Sequence, residues 1–252
     1  EQEKRAEIRA ILSFRDRSLE YILEENIMNA QDFLQILREV KDVTFATTDE
    51  NGRPRARIID VMLVEEGRLY FCTARGKDFY RELTEGGYVA VTGMNRDFQM
   101  VRLEGKAWKV PEQKKWIDRI FEENPVMNDV YPGDSRYILE PFCLDGGQME
   151  FFDLGKSPIQ RWSFVLGEEA PREKGFLITE ACIGCGKCSR SCPQKCIDRR
   201  TDCHEDRCKE RREASGDSGA PYVIRQENCL HCGLCQENCP VSAIVRRGER
   251  AC

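Results

Sequence analysis

Two stretches near the end of the chain repeat one spacing: Cys182-Ile-Gly-Cys185-Gly-Lys-Cys188-Ser-Arg-Ser-Cys192-Pro193 and Cys229-Leu-His-Cys232-Gly-Leu-Cys235-Gln-Glu-Asn-Cys239-Pro240, both C-x2-C-x2-C-x3-C-P. Working outward from them, cysteine is unevenly spread. Of 14 in 252 residues, only Cys72 and Cys143 precede residue 181, so two unlike modules are expected. With 40% hydrophobic and 33% charged residues the chain is globular, and a formal charge of -5 supplies no electrostatic footprint for nucleic acid or an anionic membrane. No apolar run approaches the roughly 20 residues that span a bilayer. The start, Glu1-Gln-Glu-Lys-Arg5, is too charged for a secretory signal. A cytoplasmic location is expected, where thiols stay reduced and a cysteine cluster signals metal rather than disulfide.

Three thiolates spaced two residues apart can wrap three corners of an iron–sulfur cubane, while the fourth, turned away before proline, reaches a second cluster. The pattern assigns Cys182, Cys185, Cys188 and Cys239 to one [4Fe-4S] cluster and Cys229, Cys232, Cys235 and Cys192 to the other. A zinc site built from C-x2-C pairs is the alternative, but zinc takes four ligands and has no use for the third cysteine of each triplet. On this motif, residues 177–246 resemble the bacterial two-cluster ferredoxins. Residues 177–252 are expected to form a small α+β ferredoxin-like domain with an inserted loop at about 197–226. That insert holds the mixed-charge run Arg199 to Arg212, the turn-rich Ser215-Gly-Asp-Ser-Gly219, and Cys203, His204 and Cys208, with Cys196 among its first neighbours. Their spacings match no metal motif, so reduced thiols on a solvated loop are expected, with a third metal site as the alternative. His231 is expected at the surface beside a cluster rather than as a ligand, and Cys252 has no assigned role.

Upstream the hydrophobic period changes. Ile8, Ile11, Leu12, Leu19, Ile22 and Leu23 recur at helical spacing, which predicts an amphipathic helix within an N-terminal extension of residues 1–29. Asn29 caps a second helix through about Val40. Strands are predicted at Val43–Thr48 and Arg55–Val64, joined by the turn Asn51-Gly52, then at Arg68–Ala74, Tyr88–Gly93, Phe98–Val110, Tyr137–Cys143 and Gln148–Asp153. Helices are predicted at Lys77–Glu85 and after Pro111. Mostly antiparallel strands with few helices predict a mainly β barrel or sandwich over residues 30–155, with 156–176 as a connector that contains one strand.

Three segments say more. Arg55-Ala-Arg57-Ile-Ile leads a strand, Tyr70-Phe-Cys-Thr73-Ala-Arg75-Gly-Lys77 runs from a strand into a helix, and Phe98-Gln99-Met-Val-Arg-Leu-Glu-Gly105 lies on a later strand. On these residues, 30–155 resembles the pyridoxamine 5'-phosphate oxidase-like, FMN-binding split-barrel family. The resemblance implies that Arg57, Thr73 and Lys77 hold the FMN phosphate and that Gln99 touches the isoalloxazine region. Arg75 adds charge beside them. The residue types suit a phosphate dianion, which calls for guanidinium and ammonium groups and donors at a helix N-terminus. The resemblance also implies a homodimer with FMN at the subunit interface. Where true pyridoxamine phosphate oxidases carry an Arg-x-His-Asp-Arg-like segment, this chain has Glu150-Phe-Phe-Asp153 and then Lys156-Ser-Pro-Ile-Gln-Arg161-Trp162, so vitamin B6 oxidation is not expected. No catalytic acid, base or nucleophile stands out, and no G-x-G-x-x-G segment supports a Rossmann-type nicotinamide site.

Together the modules predict an oxidoreductase. It would pass electrons from a soluble low-potential donor through two [4Fe-4S] clusters to FMN and on to a small-molecule substrate, with no nucleic acid or membrane partner. The alternative is an electron-transfer module whose FMN exchanges electrons with a partner protein. A flavin- or F420-binding sensor with structural clusters is a third reading. Oxygen-labile clusters make an anaerobic host the expectation.

Overall fold

A computed structural model describes residues 29–170, 172–200 and 220–248. The helix expected within residues 4–25, and Cys203, His204, Cys208 and Cys252, lie outside these residues.

Helix α1 (Ala30–Val40) starts where the sequence puts its cap. Asn29 Oδ1 accepts from the amides of Gln31 and Asp32 at 2.8 and 3.2 Å, and Asp32 Oδ2 accepts from the Asn29 amide at 2.6 Å, a closed capping box. Its inner face buries Phe33, Leu34 and Leu37, and the Phe33 ring lies 4.6 Å from that of Phe151. Each such fully buried side chain contributes about 2 kcal/mol.

Nine strands follow: β1 (Asp42–Thr48), β2 (Pro54–Asp60), β3 (Leu63–Glu65), β4 (Arg68–Ala74), β5 (Tyr88–Met94), β6 (Gln99–Lys109), β7 (Leu139–Leu144), β8 (Gly147–Asp153) and β9 (Gln160–Leu166). Their order is β2-β1-β5-β6-β7-β4-β3, with β8 and β9 branching from β6. All pairings are antiparallel, and the barrel is split because two strands change partners partway. The long strand expected over Arg55–Val64 breaks at Val61 and Met62. The Val61 amide donates to Lys41 O and the Met62 amide to Tyr70 O, both at 2.9 Å, so the chain leaves one half of the sheet and joins the other. The carbonyls turned out by this bend are taken up by Arg38 Nη1 at 2.6 Å and Asn124 Nδ2 at 2.8 Å. β6 changes partners around Gly105: it pairs with β8 up to Glu104, with β5 up to Lys106 and with β7 from Ala107. A Cβ at Gly105 would stand 2.1 Å from Gly146 O, so only glycine permits the crossing backbones to close here.

Helix α2 (Asp78–Glu85) and helix α3 (Gln113–Glu123) cover the barrel, followed by the short α4 (Met127–Val130) and a 3-10 turn at Gly133–Ile138. Phe45, Phe71, Phe142, Phe151 and Leu103 fill the interior. Cys72 and Cys143 are packing residues in smaller clusters, and burial pushes both thiols up to about 12. The stretch expected as a connector contains β9, which pairs with β8 along its whole length, from Gly147↔Leu166 to Asp153↔Gln160.

The cysteine-rich module repeats one plan twice. Strand β10 (Phe176–Ile178) precedes the first triplet, helix α5 (Lys187–Ser191) carries its third cysteine, and β11 (Ile197–Arg199) follows. Strand β12 (Tyr222–Ile224), helix α6 (Leu234–Glu237) and β13 (Ile244–Arg246) do the same for the second. β10 pairs with β13 and β11 with β12, which ties the start of the module to its end. The described residues thus form a mainly β split barrel with a leading helix, joined to a small α+β ferredoxin-like module.

Candidate cluster and flavin sites

Gly186 and Gly233, at φ 67 and 83, turn the chain into α5 and α6 and place Cys188 and Cys235 on their buried sides. Cys185 and Cys232 are exposed, and Cys192 and Cys239 are half-buried. A cavity is lined by Cys229, Cys232, Cys235 and Cys192, so the crossed set expected for the second cluster is gathered, with Cys196 as a fifth thiol. In the other half Cys182 and Cys185 stand near Cys188, whose thiol is raised first by burial, and Cys239 packs on the same core. Among the described residues no three Cys, His, Asp or Glu groups converge at the spacing of a single ion. Five thiols around one cavity exceed the four ligands zinc takes, and the repeated triplets suit a cubane. Cys229 is held below the ordinary thiol range, chiefly by its hydrogen bond with Cys196, against burial, with help from the His231 amide and the Arg161 charge.

The module rests on the barrel through residues of both halves. Ile159, just before β9, donates its amide to Gln194 Oε1 at 3.2 Å and accepts from Asn228 Nδ2 at 3.0 Å. Arg161 on β9 donates through Nη1 to His231 Nδ1 and through Nη2 to Glu150 Oε1 at 2.5 Å, and Lys174 reaches the same carboxylate oxygen at 3.3 Å. Burial alone would raise the Glu150 carboxyl, yet Arg161 and Lys174 outweigh it and hold the group below the usual carboxylate range. Burial, seconded by Arg161, lowers His231 to about 4. Its φ of 55 is left-handed, which favours glycine. Sequence reasoning placed His231 at the surface. The structure half-buries it between the lobes, because Gly175 opposite has no side chain: a Cβ there would stand 2.7 Å from His231 Nε2. Neither Arg161 nor Glu150 was singled out. The signal was two opposite charges within facing strands, Arg161 near the start of β9 opposite Phe152 and Glu150 at the middle of β8 opposite Ser163.

In the barrel the five expected flavin residues fall into three groups. Thr73, on β4, is 2% exposed and its hydroxyl has no hydrogen-bond partner. Lys77 is the N-cap of α2, no side chain caps that helix, and the Lys77 ammonium forms no ion pair among the described residues. An unpartnered buried hydroxyl four residues before a helix N-terminus without a side-chain cap, with a lysine at the cap position, suits a phosphate. Arg75 lies 3.5 Å from Glu140, which also holds Lys109 at 3.1 Å. Arg57 is engaged elsewhere: it pairs with Glu82 at 2.7 Å, donates to Thr47 Oγ1 at 2.6 Å and stacks 4.4 Å over Phe79. Gln99 lies on another part of the barrel, at the start of β6, with its Oε1 accepting from Asn95 Nδ2 at 2.9 Å. Glu82 and Glu140 were missed. Glu82 was legible as a carboxylate sharing the inward face of α2 with Phe79 and Leu83.

Comparison with known proteins agrees with this division. Residues 30–129 match the family model of the pyridoxamine 5'-phosphate oxidase domain, and residues 181–243 match that of the 4Fe-4S dicluster domain. The chain thus joins a split-barrel domain that matches the pyridoxamine 5'-phosphate oxidase model to a region that matches the 4Fe-4S dicluster model. Among curated proteins it is similar to a dihydrophenazinedicarboxylate synthase of Pseudomonas chlororaphis, 31% identical over 94 residues, which are 36% of this chain and 42% of that relative's length. Among solved structures it is similar to a NimC/NimA family protein of Clostridium acetobutylicum, with 21% identity over 53% of this chain and 90% of that one and a TM-score of 0.46. A second is a pyridoxamine 5'-phosphate oxidase-related, FMN-binding protein of Nostoc punctiforme, with 16% identity over 52% and 85% and a TM-score of 0.39. No helix among the described residues is long and apolar enough to cross a membrane.

Proposed function

We propose that the chain is an oxidoreductase that carries electrons from a soluble low-potential donor through two [4Fe-4S] clusters to FMN and on to a small organic substrate, as a homodimer with FMN at the subunit interface. The observation that carries this reading is the seating of the cysteine-rich module on the barrel at and just before β9, through Arg161–His231 and through the Ile159 contacts with Gln194, two residues after Cys192, and with Asn228, next to Cys229. Gln160 on β9 pairs with Asp153, and Asp153 pairs with Gln99, the residue assigned to the flavin ring. Two strand spacings separate them, about 10 Å. On this reading the cluster held by Cys229, Cys232, Cys235 and Cys192 is the one toward the ring. When bound, the clusters supply single-electron transfer and the flavin exchanges one electron for a pair. The chain's own residues do the placing. Thr73, Lys77 and the open amides of α2 receive the phosphate, Asn95 fixes the Gln99 amide, and Arg161 with His231 holds the lobes in register.

The similarity to a phenazine-forming enzyme makes flat aromatic heterocycles the first substrate class to try. Anaerobic stopped-flow of the dithionite-reduced protein against such acceptors should give a saturable rate for at least one. Rates that stay first-order in every acceptor would favour a carrier that serves a protein partner. Lys77→Ala should release FMN, read by loss of flavin absorbance after gel filtration, and full retention would refute the phosphate assignment.

A further inference from the structure

Eight cysteines satisfy the repeated motif, and Cys196 is not one of them. It is nevertheless 1% exposed, lines the same cavity as Cys229, Cys232, Cys235 and Cys192, and its sulfur lies 3.5 Å from Cys192 Sγ and in hydrogen-bond contact with Cys229. The internal repeat shows that this is a difference between the halves rather than a requirement of the fold. Cys192-Pro-Gln-Lys-Cys196-Ile197 corresponds to Cys239-Pro-Val-Ser-Ala243-Ile244, both with a left-handed residue at the fourth place, Lys195 and Ser242 at φ 50. Ala243 is also 1% exposed, so a methyl group fills in one half the space that a thiol fills in the other. A purely structural position would accept alanine in both.

We propose that the fourth corner of the Cys229 cluster is held exchangeably by Cys192 and Cys196. The iron–sulfur bond to one cysteine breaks as the bond to the other forms. The proton leaving the incoming thiol passes to the departing thiolate beside it, and no electron moves. The Cys182 cluster, closed by Cys239 with Ala243 behind it, has no such reserve among the described residues. The device keeps four thiolate ligands on the cluster that faces the barrel when that corner is disturbed.

The inference rests on the two-cluster reading above, and iron and sulfide analysis of the anaerobic wild-type chain tests that reading first: about eight of each supports it, and a lower count sinks it independently of Cys196. Given eight, Cys192→Ala should keep about eight iron, with an altered reduced-state EPR spectrum, whereas Cys239→Ala and the double variant Cys192→Ala/Cys196→Ala should each fall to about four. Cys192→Ala dropping as far as the double variant would overturn the exchange. In case Cys192→Ala does not fold, chelator-driven bleaching compares the wild type with Cys196→Ala, which keeps all eight motif ligands. Loss of one cluster should be several-fold faster without Cys196, and equal rates would overturn the proposal.

Discussion

Cys182–Ile197 and Cys229–Ile244 correspond position by position along the repeat, which makes each half a control for the other. Lys195 and Ser242 share a left-handed φ of 50, so that conformation belongs to the motif itself. The second residue after the first cysteine does not match. In one half it is Gly184 at φ 73, and in the other it is His231 at φ 55. A side chain held there costs roughly 1 kcal/mol or more. The first half avoids that cost with glycine. The second accepts it, and its ring meets Arg161 of the barrel. Strain common to both halves builds the cluster loop, whereas strain confined to one half marks where another part of the molecule arrives.

The comparison breaks most severely from the barrel side. Arg161→Met leaves Glu150 almost buried with only Lys174 against it, and it should destabilise the chain by about 3 kcal/mol at neutral pH, read from the urea midpoint. The pH dependence has a definite sign. Glu150 has a folded pKa below the ordinary glutamate value of 4.5, so its pairing contributes fully above about pH 4.5 and is lost as pH falls through the folded value. In Arg161→Met burial instead favours the protonated carboxyl. The gap between variant and wild type should therefore narrow at acid pH, and a gap that does not change with pH would detach Glu150 from the joint.

Next in size is an exchange between the halves. Gly184→His places a side chain at φ 73 with no guanidinium to meet it and should cost about 1–2 kcal/mol. His231→Gly relieves strain while giving up the contact with Arg161, so its net cost should stay below about 1 kcal/mol. Its effect should appear instead in coupling: slower electron passage between cluster and flavin, and faster proteolysis of the 167–175 segment between β9 and β10. If the two substitutions behave alike, His231 is part of the cluster loop and not of the joint.

The cysteine-rich module was legible in advance because its signal is local: the repeated spacing marks the dicluster domain that the family model matches, and one cavity is lined by Cys192 together with the second triplet. Most strands and helices were legible too, from period and caps, with Arg68–Ala74 matching to the residue. What escaped was everything decided by partners distant in sequence. The break at Val61 follows from Lys41 and Tyr70 pulling neighbouring amides to opposite halves of the sheet, which no window of the sequence contains. The partners of Arg57 were not legible either: Glu82 and Thr47 reach it from α2 and β1. His231 read as a surface residue because the glycine opposite, Gly175, lies 56 positions away.

The smallest effect carries the lesson of the two halves into the barrel. Like His231, Thr73 has an unfavourable feature that nothing within its own domain offsets, a buried hydroxyl with no partner. In flavin-free protein, Thr73→Val removes a polar atom that was making no hydrogen bond, so stability should hold or rise by up to about 1 kcal/mol. FMN binding should weaken by about tenfold, the worth of one hydrogen bond to a charged group, as read by flavin fluorescence titration. The two readouts move in opposite directions only if the hydroxyl is kept for a ligand. A valine that destabilised the apo-protein would show that Thr73 serves the fold, and one that left FMN affinity unchanged would move the phosphate away from the N-terminus of α2.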